Sequence, residues 1–444
     1  MDLPPSTQSP YTSHTSDDVE SMLFDLGLKS IEDLFDIPSS VKLQDPLDIP
    51  PSSEHEVKTK LTNLFQKNLP LVEFIGNGYY SHYVPSIVNH LSDRSEFLTS
   101  YTQYQPEISQ GFLQALFEYQ SIIVELTGLE IANSSMYDFA TSIGEAALLS
   151  NRISPDRAVV LVPDILRPDR LSVLKNYISN SGLKIEFYST KESNTDMDHL
   201  SNVLSNEISL VYVESPNAYG ALEESLRELV TISHDSGALV CLGTDPIALS
   251  VLERPSSLDI DMVVGDASVL GLSNAYGMGA GLFACRNEYL RKVPGRLVGI
   301  TKDNHDRRAY TLTLQTREQH IRRERATSNI CTNQAWVALR TAIHAAYLGP
   351  YGLIDLAKKC IELPLELSTK LNNIEGVISP LNDRHHFREF VVRTTKKSQD
   401  ISRSLESSGY AVSCINDQDL LICITDTNVS HMDSFIEAFQ EAML

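Results

Sequence analysis

Residues 210–245 read LVYVESPNAYGALEESLRELVTISHDSGALVCLGTD. Leu210 to Glu214 and Ala238 to Leu242 are short apolar runs of strand length, and Glu223 to His234 between them carries a helical pattern. A strand, helix and strand in this order predict a parallel pair joined by a crossover helix.

The same alternation extends in both directions. Strand-like runs are Ala158 to Val162, Lys184 to Tyr188, Met262 to Val264 and Leu282 to Cys285, and Asp169 to Asn180 is a further helical pattern. Upstream, a long helix is expected from Pro106, carrying Ile108, Phe112, Leu116, Tyr119, Ile123 and Leu126, and ending at Gly128. The expected fold class is α/β, a mostly parallel sheet with helices on both faces and function at the carboxyl ends of its strands. After about Leu348 the order becomes helix, strand (Phe387 to Val392), helix, strand (Leu420 to Ile424), helix, which predicts a small α+β domain.

The first seventy residues have no core pattern of their own. Ser16 begins a helix with Val19, Met22, Leu23 and Leu26 on one face and Gly27 at its end, and Ser53 with Glu56 forms a capping box before Val57, Leu61, Leu64 and Phe65. A proline-punctuated strap, Pro38 to Ser52, joins them. The expected organisation is an arm (1–70), a large domain (71–347) and a small carboxyl-terminal domain (348–444), with the arm docking across a subunit boundary.

Composition bounds the function. The 444 residues carry a formal net charge of -22, so the surface repels nucleic acid and anionic lipid, and any anion site must be local. The amino terminus shows neither a basic n-region nor an apolar h-region, and no run of membrane-spanning length occurs, so a cytoplasmic protein is expected. Six cysteines, Cys241, Cys285, Cys331, Cys360, Cys414 and Cys423, form no C-x-x-C pair, which predicts reduced thiols and no zinc site. No metal site is expected at His385-His386, which read as an exposed approach to a strand.

Two polar segments carry chemistry. Thr316 to Gln334 reads TREQHIRRERATSNICTNQ, an arginine-dense run followed by the hydroxyl-rich turn Thr327-Ser328-Asn329. Arginine forks bind carboxylates and phosphates, and hydroxyls with free N–H groups complete an anion cradle. By itself the run also reads as a solvated helix face in which Glu318 and Glu324 pair the arginines. The second segment is SYTQYQPEISQG, from Ser100 to Gly111, followed by LQALFEYQ. Together these two blocks resemble the amino-terminal-type subunits of glycine dehydrogenase (decarboxylating), the P-protein family of the glycine cleavage system. The likeness runs from the LFDLG region to the carboxyl terminus and is weakest over the last hundred residues.

The resemblance implies the fold type I architecture of pyridoxal-phosphate (PLP) enzymes, in which a lysine holds PLP as a Schiff base, an Asp meets the pyridine nitrogen and a helix amino terminus receives the phosphate. Asp245 matches the pyridine position, although an Asp before Pro is also a turn former. The lysine is absent, since none occurs from Glu192 to Arg291, and Ser268 stands near its place. A hydroxyl cannot replace an amine in an imine. Phe139 stands where the family has glycine at the phosphate cup, and SNAYGMGAGLFA departs from the usual Gly-Gly-Pro turn.

Those losses match a subunit that works with a PLP-bearing paralogue, P-protein subunit 2, in an α2β2 heterotetramer. The implied reaction is oxidative glycine catabolism: decarboxylation, with transfer of the aminomethyl group to the lipoyl group of H protein. On this reading Thr327, Ser328 and Asn329 reach the partner's cofactor phosphate in trans, supported by Arg322, Arg323 and Arg325. Tyr101 and Tyr104, with Gln105 and Glu107, line the way for glycine or the lipoyl arm. Each tyrosine also reads as an interface-packing aromatic. The alternatives are a non-catalytic scaffold or regulator of a PLP enzyme, and an autonomous PLP enzyme using Lys175 or Lys302.

Overall fold

The computed structural model describes residues 13–38, 40–42, 50–78, 80–97, 103–272, 278–330 and 332–444. The chain divides into two compact units between Leu69 and Pro70. In the first, a helix spans Ser16–Leu26 with Thr15 and Asp18 in a capping box and left-handed Gly27 at its end, and a second spans Glu54–Phe65 behind the Ser53/Glu56 box. Neither buries a residue, and Phe24, Phe65 and Leu69 are exposed. Most of the expected strap lies outside the described residues.

The second unit is built on a seven-stranded sheet: β1 (Ile131–Ala132), β2 (Val159–Pro163), β3 (Lys184–Tyr188), β4 (Ile208–Glu214), β5 (Leu239–Thr244), β6 (Met262–Asp266) and β7 (Gly281–Cys285). Their order is β1-β7-β6-β5-β4-β2-β3. Every neighbour from β3 to β6 is parallel, and β7 is antiparallel to both β6 and β1. The apolar runs are strands because both sheet faces are covered: Val159 and Leu161 pack into one core and Val160 and Val162 into the other, and Val211 and Val213 oppose Leu210 and Tyr212 in the same way. Each expected central strand falls within two residues of its observed limits.

Three expectations are corrected. Pro106–Ile108 is a separate 3-10 turn, and the long helix is Gln110–Thr127, because the backbone at Ser109 leaves the helical region. Ile108 is therefore exposed, whereas Phe112, Leu116, Tyr119 and Ile123 are buried. Phe387 does not open a strand, since Arg388 adopts φ 65 and the strand begins at Glu389. The arginine run is not one helix face: it breaks into Gln315–Arg317, Gln319–Arg322 and Arg323–Arg325, with Arg323 at φ 54.

A four-stranded antiparallel sheet, Val377–Ile378 (β8), Glu389–Thr394 (β9), Ser413–Cys414 (β10) and Asp419–Cys423 (β11), is ordered β8-β9-β11-β10 and has its own core around Phe390, Val392, Ile422, Phe435 and Phe439. The helical run Ala335–Leu371 joins the two sheets, interrupted at Gly349 (φ 62) before Pro350. Val337, Ala338 and Leu339 pack with the central strands, and Leu367 and Leu371 with the small sheet. Among the described residues no helix is long and apolar enough to cross a membrane, and no group of residues is placed to hold a metal. Cys241, Cys285, Cys360 and Cys423 are buried free thiols and Cys414 is exposed, while Cys331 lies outside the described residues.

Candidate active site

The carboxyl ends of β5 and β6 open on a cavity. Asp245 follows β5 directly, and its carboxylate accepts the N–H groups of Ile247 and Ala248. The other face of Asp245 is taken by Arg388, which comes from the loop leading into β9 and forms an ion pair with it. Arg388 is 1% exposed and lies against the rings of Tyr80 and Phe387. Tyr80 in turn donates its hydroxyl to Glu389, whose carboxyl is raised by burial. Two further arginines border the cavity. Arg167 pairs with Asp169, and Arg170 pairs with Glu214 at 2.7 Å with its guanidinium over the Phe139 ring.

Ser268 begins the short helix after β6, and its N–H donates to Asp266, the last residue of that strand. Burial raises the Asp266 carboxyl despite hydrogen bonds from Ser268 and Ala280. The helix Phe139–Ile153 points its amino terminus at the cavity, and Asp138 caps it by accepting the N–H of Thr141.

These residues do not fit a covalently held PLP. The cavity lining contains no lysine among the described residues, and Ser268 offers no amine. Asp245 already has a cation, so it is not available as the acidic partner of a pyridinium. A phosphate brought to the helix start would face the Asp138 carboxylate and the Phe139 ring rather than open N–H groups.

The two polar sequence segments meet elsewhere. Arg296 donates to the Tyr104 hydroxyl at 3.0 Å, the Tyr104 ring stands 5.2 Å from that of His320, and buried Glu318 approaches Arg296 and His320 at 3.9 and 3.5 Å. Gln105 and Glu107 are exposed beside this cluster in sequence, and Glu107 lines a groove against the hairpin Leu297–Thr313. Tyr101 lies outside the described residues. The turn after the arginine run is fixed from behind: Arg152 donates to the Thr327 carbonyl at 2.8 Å, and the Ser328 hydroxyl donates to Glu145, a carboxyl raised by burial. Asn329 is exposed, as are Arg322, Arg323 and Arg325. Arg322 donates to the Thr316 carbonyl, and Arg325 pairs with Glu324 at 3.9 Å.

The glycine cleavage system P-protein family matches residues 9–439. The chain belongs to the P-protein family. It is 50% identical over 435 residues to the probable glycine dehydrogenase (decarboxylating) subunit 1 of Halobacterium salinarum, covering 98% of this chain and 99% of that protein. It is 42% identical over 442 residues to the corresponding protein of Pyrococcus abyssi, covering 96% and 97%. A crystal structure of glycine decarboxylase (P-protein) of the glycine cleavage system, in inhibitor-bound form, superposes with a TM-score of 0.89 at 39% identity, over 97% of this chain and 99% of that one. A sphingosine-1-phosphate lyase of Burkholderia pseudomallei, 11% identical with a TM-score of 0.66 over 90% of this chain and 92% of that one, shares the fold alone. The P-protein chain thus has the fold type I architecture that its sequence resemblance implies.

Sequence reasoning placed Asp245, Ser268 and Phe139 on one cavity but missed the charged side chains that line it. Arg167 and Arg170, Asp266, and Arg388 come from three separate segments, and only their positions beside strand ends mark them. Arg388 was the least accessible to pattern, because it stands where an alternating strand was expected to be already under way.

Proposed function

We propose that the chain is the subunit of a glycine-decarboxylating P-protein pair that does not carry the cofactor. A paralogous subunit holds PLP, which supplies the electron sink for decarboxylation. The lipoylated H protein receives the aminomethyl group, and the pair assembles as an α2β2 heterotetramer in the cytoplasm. The observation that carries this reading is the cavity itself: a P-protein fold retained over the whole chain, with serine at the lysine position and Arg388 on the aspartate.

The chain's own residues then act at the shared boundary. The turn Thr327-Ser328-Asn329 is the candidate for contact with the partner's cofactor phosphate, with Arg322, Arg323 and Arg325 around it. Tyr104, Gln105, Glu107 and Tyr101 are candidates for the path of glycine or the lipoyl arm. Tyr104 is 40% exposed while its hydroxyl is held by Arg296, an arrangement that positions a phenol at a surface.

One observation favours a scaffold reading for the turn, since the Ser328 hydroxyl is already committed to Glu145 within its own chain. Co-expression with a PLP-bearing paralogue, followed by glycine–bicarbonate exchange, separates the two. Exchange that requires both chains, and that falls when the turn is altered in an assembled complex, supports the catalytic partnership. Full exchange from the paralogue alone would leave this chain a scaffold.

A further inference from the structure

Basic side chains are gathered in one part of this acidic chain. Residues 291–325 hold ten Lys or Arg against four Asp or Glu, a formal charge of +6 on 35 residues, so the remaining 409 carry -28. Eight of the ten cations are exposed. The four carboxylates do not balance them. Glu318 is buried against Arg296 and His320, while Asp303, Asp306 and Glu324 pair with Arg307, Lys302 and Arg325 at the surface, where ion pairs add little. Arg291, Arg308 and Arg323 form no ion pair among the described residues.

These cations are continuous in space as well as in sequence. Arg317 donates to the Val293 and Gly295 carbonyls, and Arg152 donates to those of Lys292 and Thr327, so the arginine run is laid on the base of the hairpin Leu297–Thr313. From that base each strand of the hairpin runs six residues, about 20 Å, with Lys302 and Arg308 at the far end. The hairpin is a firm platform. Gln110 and Gln120 of the long helix each clamp one of its residues, Tyr310 and Val298, by donating to the carbonyl and accepting the N–H. Ile300, Leu314 and Ile321 are exposed among the cations.

We propose that residues 291–325 form a docking surface for an acidic protein segment that carries apolar side chains among its carboxylates. Opposite charge brings such a segment to the band and sets its orientation, and Ile300, Leu314 and Ile321 supply apolar contact that charge alone does not. A preformed platform lowers the ordering cost of the encounter. An extended polyanion, whether nucleic acid or an anionic bilayer, runs past the band and meets the excess of carboxylates on the rest of the chain.

The test is fluorescence anisotropy with the full chain, purified without a partner, and labelled peptides of roughly 20 residues. One probe repeats Glu-Glu-Leu, a second repeats Glu-Glu-Ser, and an oligothymidylate of similar length represents nucleic acid. The leucine probe should bind with a Kd on the order of 100 μM or tighter at about 50 mM salt, and at least about tenfold more weakly at about 300 mM. The serine probe and the oligothymidylate should each bind at least about tenfold more weakly than the leucine probe. Arg291→Glu, Arg308→Glu and Arg323→Glu together should weaken binding by at least about tenfold, and the circular-dichroism spectrum should be unchanged because no ion pair is broken. Carbodiimide coupling of the leucine probe to the wild-type chain should fall on Lys292 and Lys302, and this mapping decides the matter should the triple variant misfold. Absence of saturable binding, equal affinity for the serine probe or the oligothymidylate, coupling confined to lysines outside the band, or a folded triple variant that binds as the wild type would each overturn the proposal. It stands or falls apart from the proposed function, because exchange activity is read on the assembled pair and this binding on the chain without its partner.

Discussion

Arg388 and Asp245 form an ion pair between the two largest sheets of the second unit: the aspartate directly follows β5 of the large sheet, and the arginine sits one residue before β9 of the small one. Both side chains are buried. Removal of one partner strands the other charge in a medium that cannot solvate it, which typically costs about 3–5 kcal/mol. Arg388→Leu should lower unfolding free energy by that order in urea titrations, and the double change Arg388→Leu with Asp245→Leu should recover most of the loss. A single variant as stable as the wild type would show that the pair carries no such burden.

The same pair leads to an expectation about PLP. Incubation of the purified chain with PLP should give no near-visible Schiff-base band and no borohydride-trapped pyridoxyl-lysine. Ser268→Lys should fail as well, because Asp245 remains paired and Asp138 still occupies the helix start. Peptide mapping after reduction checks both statements.

At the turn, Thr327→Ala with Ser328→Ala should reduce glycine–bicarbonate exchange of the assembled pair by roughly a hundredfold, equivalent to about 2.7 kcal/mol of transition-state stabilisation. Loss of the Ser328 donor also leaves buried Glu145 with one hydrogen bond fewer, so stability should fall by about 1–3 kcal/mol. Glu145→Gln provides the control: it disturbs the anchor without touching the turn's hydroxyls. Equal loss of exchange in the control would assign the effect to stability rather than to contact in trans.

His234 confers a pH dependence of known sign. Its Nε2 lies 2.8 Å from Asp261 and its Nδ1 3.4 Å from Asp259, with Arg286 against both carboxylates. The hydrogen bond to Asp261 outweighs burial and the repulsion of Arg286, and holds the imidazole above its ordinary value. A raised folded pKa contributes stability that is fully present below the unfolded value of about 6.5 and is lost as pH rises through the folded value. His234→Gln should therefore cost about 1 kcal/mol near pH 5.5 and progressively less above neutrality, measured by urea unfolding across that range.

Deletion of residues 1–69 should weaken assembly with the paralogue more than it lowers the melting temperature of the remaining chain, since the helices of this unit bury no residue of their own. Sizing chromatography at micromolar concentration and a thermal scan of the truncated chain check the two halves of the statement.

The central sheet was legible because each strand is buried on both faces and so reads as an unbroken apolar run, as in Leu210 to Glu214. Capping chemistry made Ser53 and Glu56 equally plain. The arginine run also offered a single-helix-face reading because its composition favours a helix, and nothing local in the sequence records the positive φ at Arg323 that breaks it. The cavity was half legible. Asp245 and Ser268 stand at strand ends where chemistry is expected, but the pairing of Asp245 with Arg388 spans residues distant in sequence, and no local periodicity records it.

The helical run Ala335–Leu371 has a mechanical consequence. Its first turns are fixed in the core of the large sheet and its last turns in that of the small one; its dihedral angles leave the helical region at Gly349, just ahead of Pro350, and Pro364 removes a further N–H donor in the second half. Its principal joint is Gly349. Any rotation of the small sheet against the large one would turn at that joint, and it would load the Arg388–Asp245 pair, whose members belong to different sheets.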